Sequence, residues 1–199
     1  MGTDIHPIVQ VRIEEKWVDH EWPSGAGDYD WEATEDSPLA TRAFMGLQAR
    51  NYALFAILAG VRNGIGFAGC KTGEAVEPIA EQRGLPEDYV DKDDTDLDSW
   101  LGDHSFTWMT LQEILDWLGW EKPLVKCGMV RMAAKRDDKG RPLEWCGEVF
   151  GKDAEDYEHE EWKADLKESV GWFWTATVPY LKSLATDPKD VRLVMGFDS

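Results

Sequence analysis

The opening of the chain, MGTDIHPIVQVR, contains residues whose types and spacing suit a metal ion. Asp4 and His6 are two positions apart, so in a strand both side chains point to the same face, as two ligands of one ion must. Asp103 and His104 form a second pair, just before an expected helix. Together they would suit zinc or manganese with open positions for water, which the ion would activate toward a phosphoester or amide. This pattern indicates a divalent-metal-dependent hydrolase as one hypothesis.

The same residue types also have ordinary structural roles. An aspartate at the start of a strand often caps a turn, and a histidine in a loop or at a strand end often satisfies backbone groups. The chain has 4 histidines and contains neither HxH nor HExxH, so no spacing specific for a metal is present. Its 3 cysteines, Cys70, Cys127 and Cys146, include no CxxC pair. They predict neither a thiolate zinc site nor a disulfide framework.

A second group of residues surrounds an apolar stretch in the middle of the chain. Arginine offers a planar fork that matches phosphate or carboxylate, and glycine lets backbone amides approach an anion closely. An aromatic ring nearby could stack on a base. The residues expected to bind a small anionic, nucleotide-like ligand are Arg50, Asn51, Arg62, Asn63, Lys71, Arg83 and Trp108. No P-loop or GxGxxG is present, and pairing of these cations with carboxylates is the alternative.

The charge of the chain favours a third possibility and excludes others. A formal net charge of -18 at pH 7 disfavours non-specific binding to nucleic acid or to anionic membrane. Acidic residues concentrate over 87–98 and 153–168 and could imitate the phosphates of DNA in the groove of a host protein. Solvated helix faces explain the same charge. The ligand-binding, metal-dependent and DNA-mimic hypotheses rank in that order, and enzymatic activity stays open.

Hydrophobic periodicity predicts the elements that must position these groups. Alternating apolar residues predict strands over 8–18 and 190–199, and we expect these two strands to be neighbours, which would bring Asp198 to Asp4 and His6. The turn sequence KRDDKGRP predicts a central hairpin that joins residues 124–132 to 143–150. Apolar residues at helical spacing, with a capping box from Thr110 to Glu113, predict helices over 50–64, 110–119, 153–170 and 171–187.

These elements predict an α+β fold. We expect a mixed sheet formed by the N-terminal strand, the central hairpin and the C-terminal strand, with about four helices packed on it. A length of 199 residues fits a single globular domain over 1–199, with long loops over 19–40 and 64–104. No apolar run approaches a membrane span and the N-terminus lacks a signal-peptide layout, so we expect no membrane association and a cytoplasmic location. The oligomeric state is not predicted.

Several blocks of the sequence resemble a family of small, largely uncharacterised proteins encoded by bacteriophages and prophages. The matching blocks are the opening MG-x-DIH, RNYALFAILAGVRNG, PIAEQRGLP, GDHSFTWMTLQEIL and the ending VRLVMGFDS, and they extend over the whole chain. The chain departs from the family pattern at Thr3, where the family has Cys, at Phe106, where it has a second His, and at Ser199, where it has Asn. The missing histidine removes one candidate metal ligand.

The resemblance implies a setting and carries no assigned activity. That setting is the cytoplasm of an infected bacterium, where small accessory proteins often blunt host defences. In this setting the first hypothesis describes a phage-encoded accessory protein that counters host defence by sequestering a small nucleotide-like signal. The same setting makes the partner of the DNA-mimic hypothesis a host defence protein.

Overall fold

The two ends of the chain pair with each other as neighbouring strands. The computed structural model describes residues 2–26, 32–89, 101–149 and 151–198, without the side chains of 151–153. Strand β1 (Asp4–Ile13) runs antiparallel to strand β6 (Val191–Asp198), from Asp4 opposite Asp198 to Val11 opposite Val191. The predicted adjacency of the end strands is therefore confirmed.

Two more strands complete the main sheet, whose order is β2-β1-β6-β3. Strand β2 (Lys16–Asp19) is the second arm of a hairpin with β1, and β3 (His104–Thr110) pairs antiparallel with the other edge of β6. Because alternate residues of a strand face opposite sides, β6 buries Leu193, Met195 and Phe197 in the core. The predicted α+β class, with the chain ends and a central strand in one sheet, is confirmed.

The described residues form five α-helices, which share one hydrophobic core with this sheet. They are α1 (Leu39–Gln48), α2 (Tyr52–Ala59), α3 (Leu111–Asp116), α4 (Leu166–Ser169) and α5 (Val178–Lys182), the last preceded by a π-helical turn (Phe173–Thr177). The predicted capping box between Thr110 and Glu113 is present at the start of α3. Helix α2 is shorter than predicted because Gly60, at φ 67, ends it with a left-handed residue well before Asn63.

A second, two-stranded sheet corrects two predictions. Strand β4 (Leu124–Arg131) pairs antiparallel with β5 (Tyr157–Ala164), so the helix predicted over 153–170 is wrong except for the short α4 at its end. The described part of the predicted hairpin partner, 143–149, forms no strand and meets β4 through a bridge between Met129 and Cys146. The strand pair lies outside the main sheet. No helix in the described part of the chain is long and apolar enough to cross a membrane.

Helix α1 approaches the π-helical turn so closely that one position between them must be glycine. A β-carbon added at Gly46 would lie 2.6 Å from Thr177 Oγ1 and 2.7 Å from the backbone carbonyl carbon of Trp172. Thr177 is fully buried, and its hydroxyl donates a 2.7 Å hydrogen bond to the carbonyl of Ala43, which lies on α1 with Gly46. Gly46 therefore permits the contact by which α1 joins the C-terminal helices.

We expect Gly46→Ala to destabilise the protein by about 1–3 kcal/mol, because the new methyl group overlaps backbone that cannot move away. Helix propensity alone predicts the opposite sign, a gain of about 1 kcal/mol from replacing glycine in a helix. Urea unfolding of the variant measures the difference, with Gln48→Ala in the same helix as the control. A stability equal to or above that of the parent protein would contradict the close approach.

Candidate functional site

The N-terminal residues hold the arginine that precedes α2. The carboxylate of Asp4 accepts two hydrogen bonds from Arg50, at 2.8 Å from Nε to Oδ1 and 2.5 Å from Nη2 to Oδ2. This bidentate contact, opposed by partial burial, lowers the pKa of Asp4, and it raises the pKa of Arg50. A β-carbon added at Gly2 would lie 2.6 Å from Arg50 Nη1, so glycine leaves room for the guanidinium. Asp4 therefore orients an arginine.

The same segment holds the arginine that follows α2. Thr3 is 1% exposed, and its hydroxyl oxygen accepts a 2.8 Å hydrogen bond from Arg62 Nε. Arg62 also donates from Nη1 to the carbonyl of Gly66 at 3.4 Å. Its backbone has φ 53, in the left-handed region that residues other than glycine rarely adopt. Such strain is tolerated when the surrounding contacts fix the residue, as they do here.

The four predicted metal ligands do not come together as one set. His6 Nε2 lies 3.4 Å from Asp198 Oδ2, as expected from the pairing of the end strands. Asp103 and His104 lie across β6 from this pair, since His104 is opposite Phe197 in the β3–β6 ladder. Among the residues that the structure describes, no group of three or more His, Cys, Asp or Glu side chains is arranged to hold a metal ion.

A cavity of about 280 Å³ lies between α2 and β4. Its wall includes four of the seven predicted ligand-binding residues, Arg50, Asn51, Arg62 and Asn63. The short strand-like segment 72–74 forms a second side, held to β4 by the bridge between Gly73 and Lys126. The sequence thus predicted which helix ends border the cavity.

Both predicted asparagines use their side chains to fix the backbone of the cavity wall. Asn51 caps α2 by accepting from the amides of Ala53 and Leu54, and it donates to the carbonyl of Ser169 at 2.8 Å. Asn63 exchanges two hydrogen bonds with the backbone of Val76, at 2.7 and 2.8 Å. Their contribution to a ligand site is therefore to position the walls.

The other three predicted residues lie elsewhere. Arg83 bonds to Glu113 at 2.5 Å and lies over the ring of Trp108, with 5.0 Å between the guanidinium carbon and the ring centre. This pair belongs to the main sheet and does not line the cavity. Lys71 is exposed and is not part of the wall either, although Thr72 and Gly73 beside it are.

The cavity residues that sequence reasoning missed include Lys126 and Trp145. Lys126 is partly buried on β4, and that burial, together with the positive charge of Arg141, lowers its pKa. Trp145 packs edge-on against Trp162 at 5.2 Å between ring centres, above Gly128, where an added β-carbon would lie 2.5 Å from its ring. The glycine in the middle of a predicted strand was the one available signal.

The cavity carries a locally positive charge. Arg50, Arg62 and Lys126 line it together with one carboxylate, Glu74, in a chain whose net charge is -18. No carboxylate of the described residues lies within 4.0 Å of the Lys126 ammonium, whereas Arg50 is already paired with Asp4. Lys126 is therefore the cation best placed to bind an incoming anion.

Part of the acidic segments of the DNA-mimic hypothesis is paired with basic residues in the described chain. Residues 90–98 lie outside the described residues. In the 153–168 segment, Glu160 is bound by Arg136 at 2.6 Å, and Glu168 is bound by Arg141 at 2.7 Å. Internal pairs thus neutralise part of the charge that a mimic would present.

Comparison with protein-family models, curated proteins and solved structures finds no match to this chain. The fold and the cavity together define an α+β protein with a small, locally cationic cavity between two layers. Its function is inferred from these residues.

We expect Asp4→Asn to lower the free energy of unfolding by less than about 1 kcal/mol, because both partners of the Asp4–Arg50 pair are roughly half exposed. The folded-state pKa of Asp4 is lowered, so its contribution is present above the ordinary aspartate pKa and is lost as the pH falls through the lowered value. Urea unfolding at neutral pH should give a slightly lower free energy of unfolding for Asp4→Asn than for the parent. In strong acid the two proteins should be equally stable. A zinc- or manganese-induced rise in melting temperature that Asp4→Asn abolishes would contradict this role.

We expect Lys126→Met to raise the melting temperature at neutral pH, because the folded protein no longer holds an ammonium in a partly buried position. The folded-state pKa of Lys126 is lowered, so the unfolded chain binds its proton more tightly, and parent stability rises with pH between the two pKa values. The variant should lack that rise. Thermal unfolding from neutral to alkaline pH measures both effects, with exposed Lys182→Met as control. A lower melting temperature at neutral pH would show that the ammonium stabilises the fold.

Proposed function

We propose that this protein binds a small anionic, nucleotide-like ligand in the cavity between α2 and β4. The observation that carries the proposal is the convergence of Arg50, Arg62 and Lys126 on one cavity of a strongly acidic chain. A volume of about 280 Å³ fits a small molecule and not a chain segment. A phosphate group would neutralise the positive charge of the site.

The two arginines are positioned before any ligand arrives. Asp4 binds Arg50 through Nε and Nη2, and Thr3 binds Arg62 through Nε, so both guanidinium groups are oriented by contacts within the chain. Prior orientation reduces the entropy that a ligand loses when it orders the side chains that bind it. Lys126 supplies a point charge from the opposite wall, a usual role for lysine in phosphate binding.

Aromatic residues of the cavity suit the flat part of such a ligand. Trp145 is 38% exposed and offers a ring face beside the cavity. Tyr52, at the start of α2, lies under Arg62 with 5.7 Å between the guanidinium carbon and the ring centre. Stacking of a base on an aromatic ring contributes about 1–3 kcal/mol. This replaces the predicted role of Trp108, which lies outside the cavity.

The resemblance to phage and prophage proteins supports a biological setting for this binding. We place the protein among phage-encoded accessory proteins that act in the cytoplasm of the infected host and reduce a nucleotide-based defence signal by sequestering it. Plating efficiency on hosts that use such a signal tests this setting. The phages to compare carry the parent gene, the Lys126→Met gene or no copy of the gene. Equal plating in every case would overturn the anti-defence role.

A thermal-shift panel of nucleoside monophosphates, diphosphates and cyclic dinucleotides tests the binding itself. We expect at least one compound to raise the melting temperature by several degrees, as a ligand that binds only the folded state must. Lys126→Met should weaken the binding of that compound by about tenfold or more, which corresponds to one charge-assisted contact.

The control for this experiment is Lys182→Met, which removes one exposed lysine elsewhere and should leave the affinity unchanged. Because we expect Lys126→Met to be at least as stable as the parent protein, unfolding cannot account for lost binding. If no compound of the panel shifts the melting temperature, or if Lys126→Met binds as tightly as the parent, the proposed function is wrong.

A further inference from the structure

A second cavity, of about 320 Å³, lies on the other side of α4. It is bordered by the turn 118–121, by the loop 137–141 and by the end of β5. Five cationic side chains line it: Lys122, Lys139, Arg141, Lys163 and Lys167. The lining carboxylates are Glu121 and Asp165.

This concentration of positive charge is unexpected in such an acidic chain. The whole protein has 21 lysines and arginines against 39 aspartates and glutamates, yet cations outnumber carboxylates in this wall. One of the two carboxylates, Asp165, accepts a hydrogen bond from the amide of Glu168 and so caps α4. Charges of one sign gathered at a concave surface raise the local potential, which attracts counter-ions.

Three of the five cations are held in place by neighbouring groups. Arg141 bonds to Asp137 at 2.6 Å and to Glu168 at 2.7 Å, and its side chain is 19% exposed. Lys139 lies 3.3 Å from the same Glu168. Lys167 bonds to Glu121 at 2.7 Å, and its ammonium lies 4.8 Å from the centre of the Trp174 ring. These contacts fix the cavity wall.

The remaining two cations are available to a ligand. Among the described residues, no carboxylate lies within 4.0 Å of the Lys163 ammonium. Lys122 is 3.8 Å from Glu77 and its side chain is 69% exposed, so this ion pair is weak. Arg141 bonds through Nε and Nη1, which leaves Nη2 without a hydrogen bond to any described residue. Three donors therefore remain for an anion.

We propose that this second cavity binds a small molecule that carries two or more linked phosphate groups. Several separate donors around one concave site suit an anion with many oxygens, and Arg141 can add a directed hydrogen bond to the charges of Lys122 and Lys163. A long polyanion such as nucleic acid or an acidic protein would meet the net charge of -18 outside the cavity. A compact anion is affected mainly by the cations around it, because salt screens charges more than about 10 Å away.

Isothermal titration of the full-length protein with inorganic tripolyphosphate tests the proposal. We expect binding in the micromolar range that weakens as salt is added, with inorganic monophosphate binding less tightly. Replacing Lys122 and Lys163 together by glutamine should raise the dissociation constant by about tenfold or more. Both side chains are exposed, so the variant should keep the melting temperature of the parent.

The matched control replaces Lys182 and Lys189, two exposed lysines remote from the cavity wall, by glutamine. It changes the net charge equally and should alter the dissociation constant less than about twofold. Lys126→Met, in the wall of the proposed nucleotide cavity, separates the two sites: tripolyphosphate binding that is lost in this variant and kept in the Lys122–Lys163 variant belongs to the nucleotide cavity. Absent binding, equal losses in the two lysine pairs, or binding lost in Lys126→Met would each overturn the second site.

Discussion

The pairing of β1 with β6 is the contact on which the rest of the structure depends. It joins residues nearly the whole chain apart, and it places β3 on the other edge of β6. The free energy for closing so large a loop comes from burial, since the core faces of β1 and β6 contribute Ile5, Val9, Leu193, Met195 and Phe197 to one cluster. The main sheet therefore needs both of these segments, and β2 and β3 extend it on the two sides of the β1–β6 pair.

The same pairing explains why the first residues of the chain matter for the cavity. Once β1 is fixed beside β6, Thr3 and Asp4 stand next to α2, with Arg62 after the helix and Arg50 before it. The residues that flank the two ends of this short, mostly buried helix are thereby fixed by hydrogen bonds to the N-terminal segment. Asp4, one of the predicted metal ligands, accepts hydrogen bonds from one guanidinium group, and its neighbour Thr3 accepts one from the other. A carboxylate and a hydroxyl satisfy arginine in this geometry without any ion.

Particular residues show how far the sequence predicts this fold. The alternation of Val191, Leu193 and Met195 predicted a strand correctly, because these residues share the core face of β6, although the residues between them, Arg192 and Val194, are buried as well. The segment 157–164 has many glutamates and a lysine, which favour helix, but pairing with β4 overrides that local preference. Lys126 could not be predicted as part of a site, since its importance comes from partial burial and from Arg141, which is distant in sequence.

Arg83 and Trp108 were predicted for the cavity and instead belong to an aromatic stack on the opposite face of the sheet. Arg192, 3% exposed, lies 4.2 Å from the ring centre of Trp17 and 5.6 Å from that of Trp108. Arg83 covers the outer side of Trp108. The Arg192 guanidinium also donates to Gln10 Oε1 at 2.7 Å and to Asp88 Oδ1 at 2.9 Å, and these hydrogen bonds, together with the rings, make its burial tolerable. Arginine near tryptophan in a sequence is thus an ambiguous signal. The same cation–π attraction occurs in ligand-binding sites and in contacts that only stabilise the sheet.

Each of the two cavities has in its wall a lysine without a carboxylate partner. Most arginines of the described chain are bound by a carboxylate, and such pairs contribute little net field. Lys126 and Lys163 have no such partner within 4.0 Å among the described residues, although acidic side chains outnumber basic ones almost two to one. Other described lysines without such a partner, including Lys182 and Lys189, lie outside both cavities. At a concave wall an unpaired ammonium raises the local positive potential, so Lys126 and Lys163 favour anions that come from outside the chain.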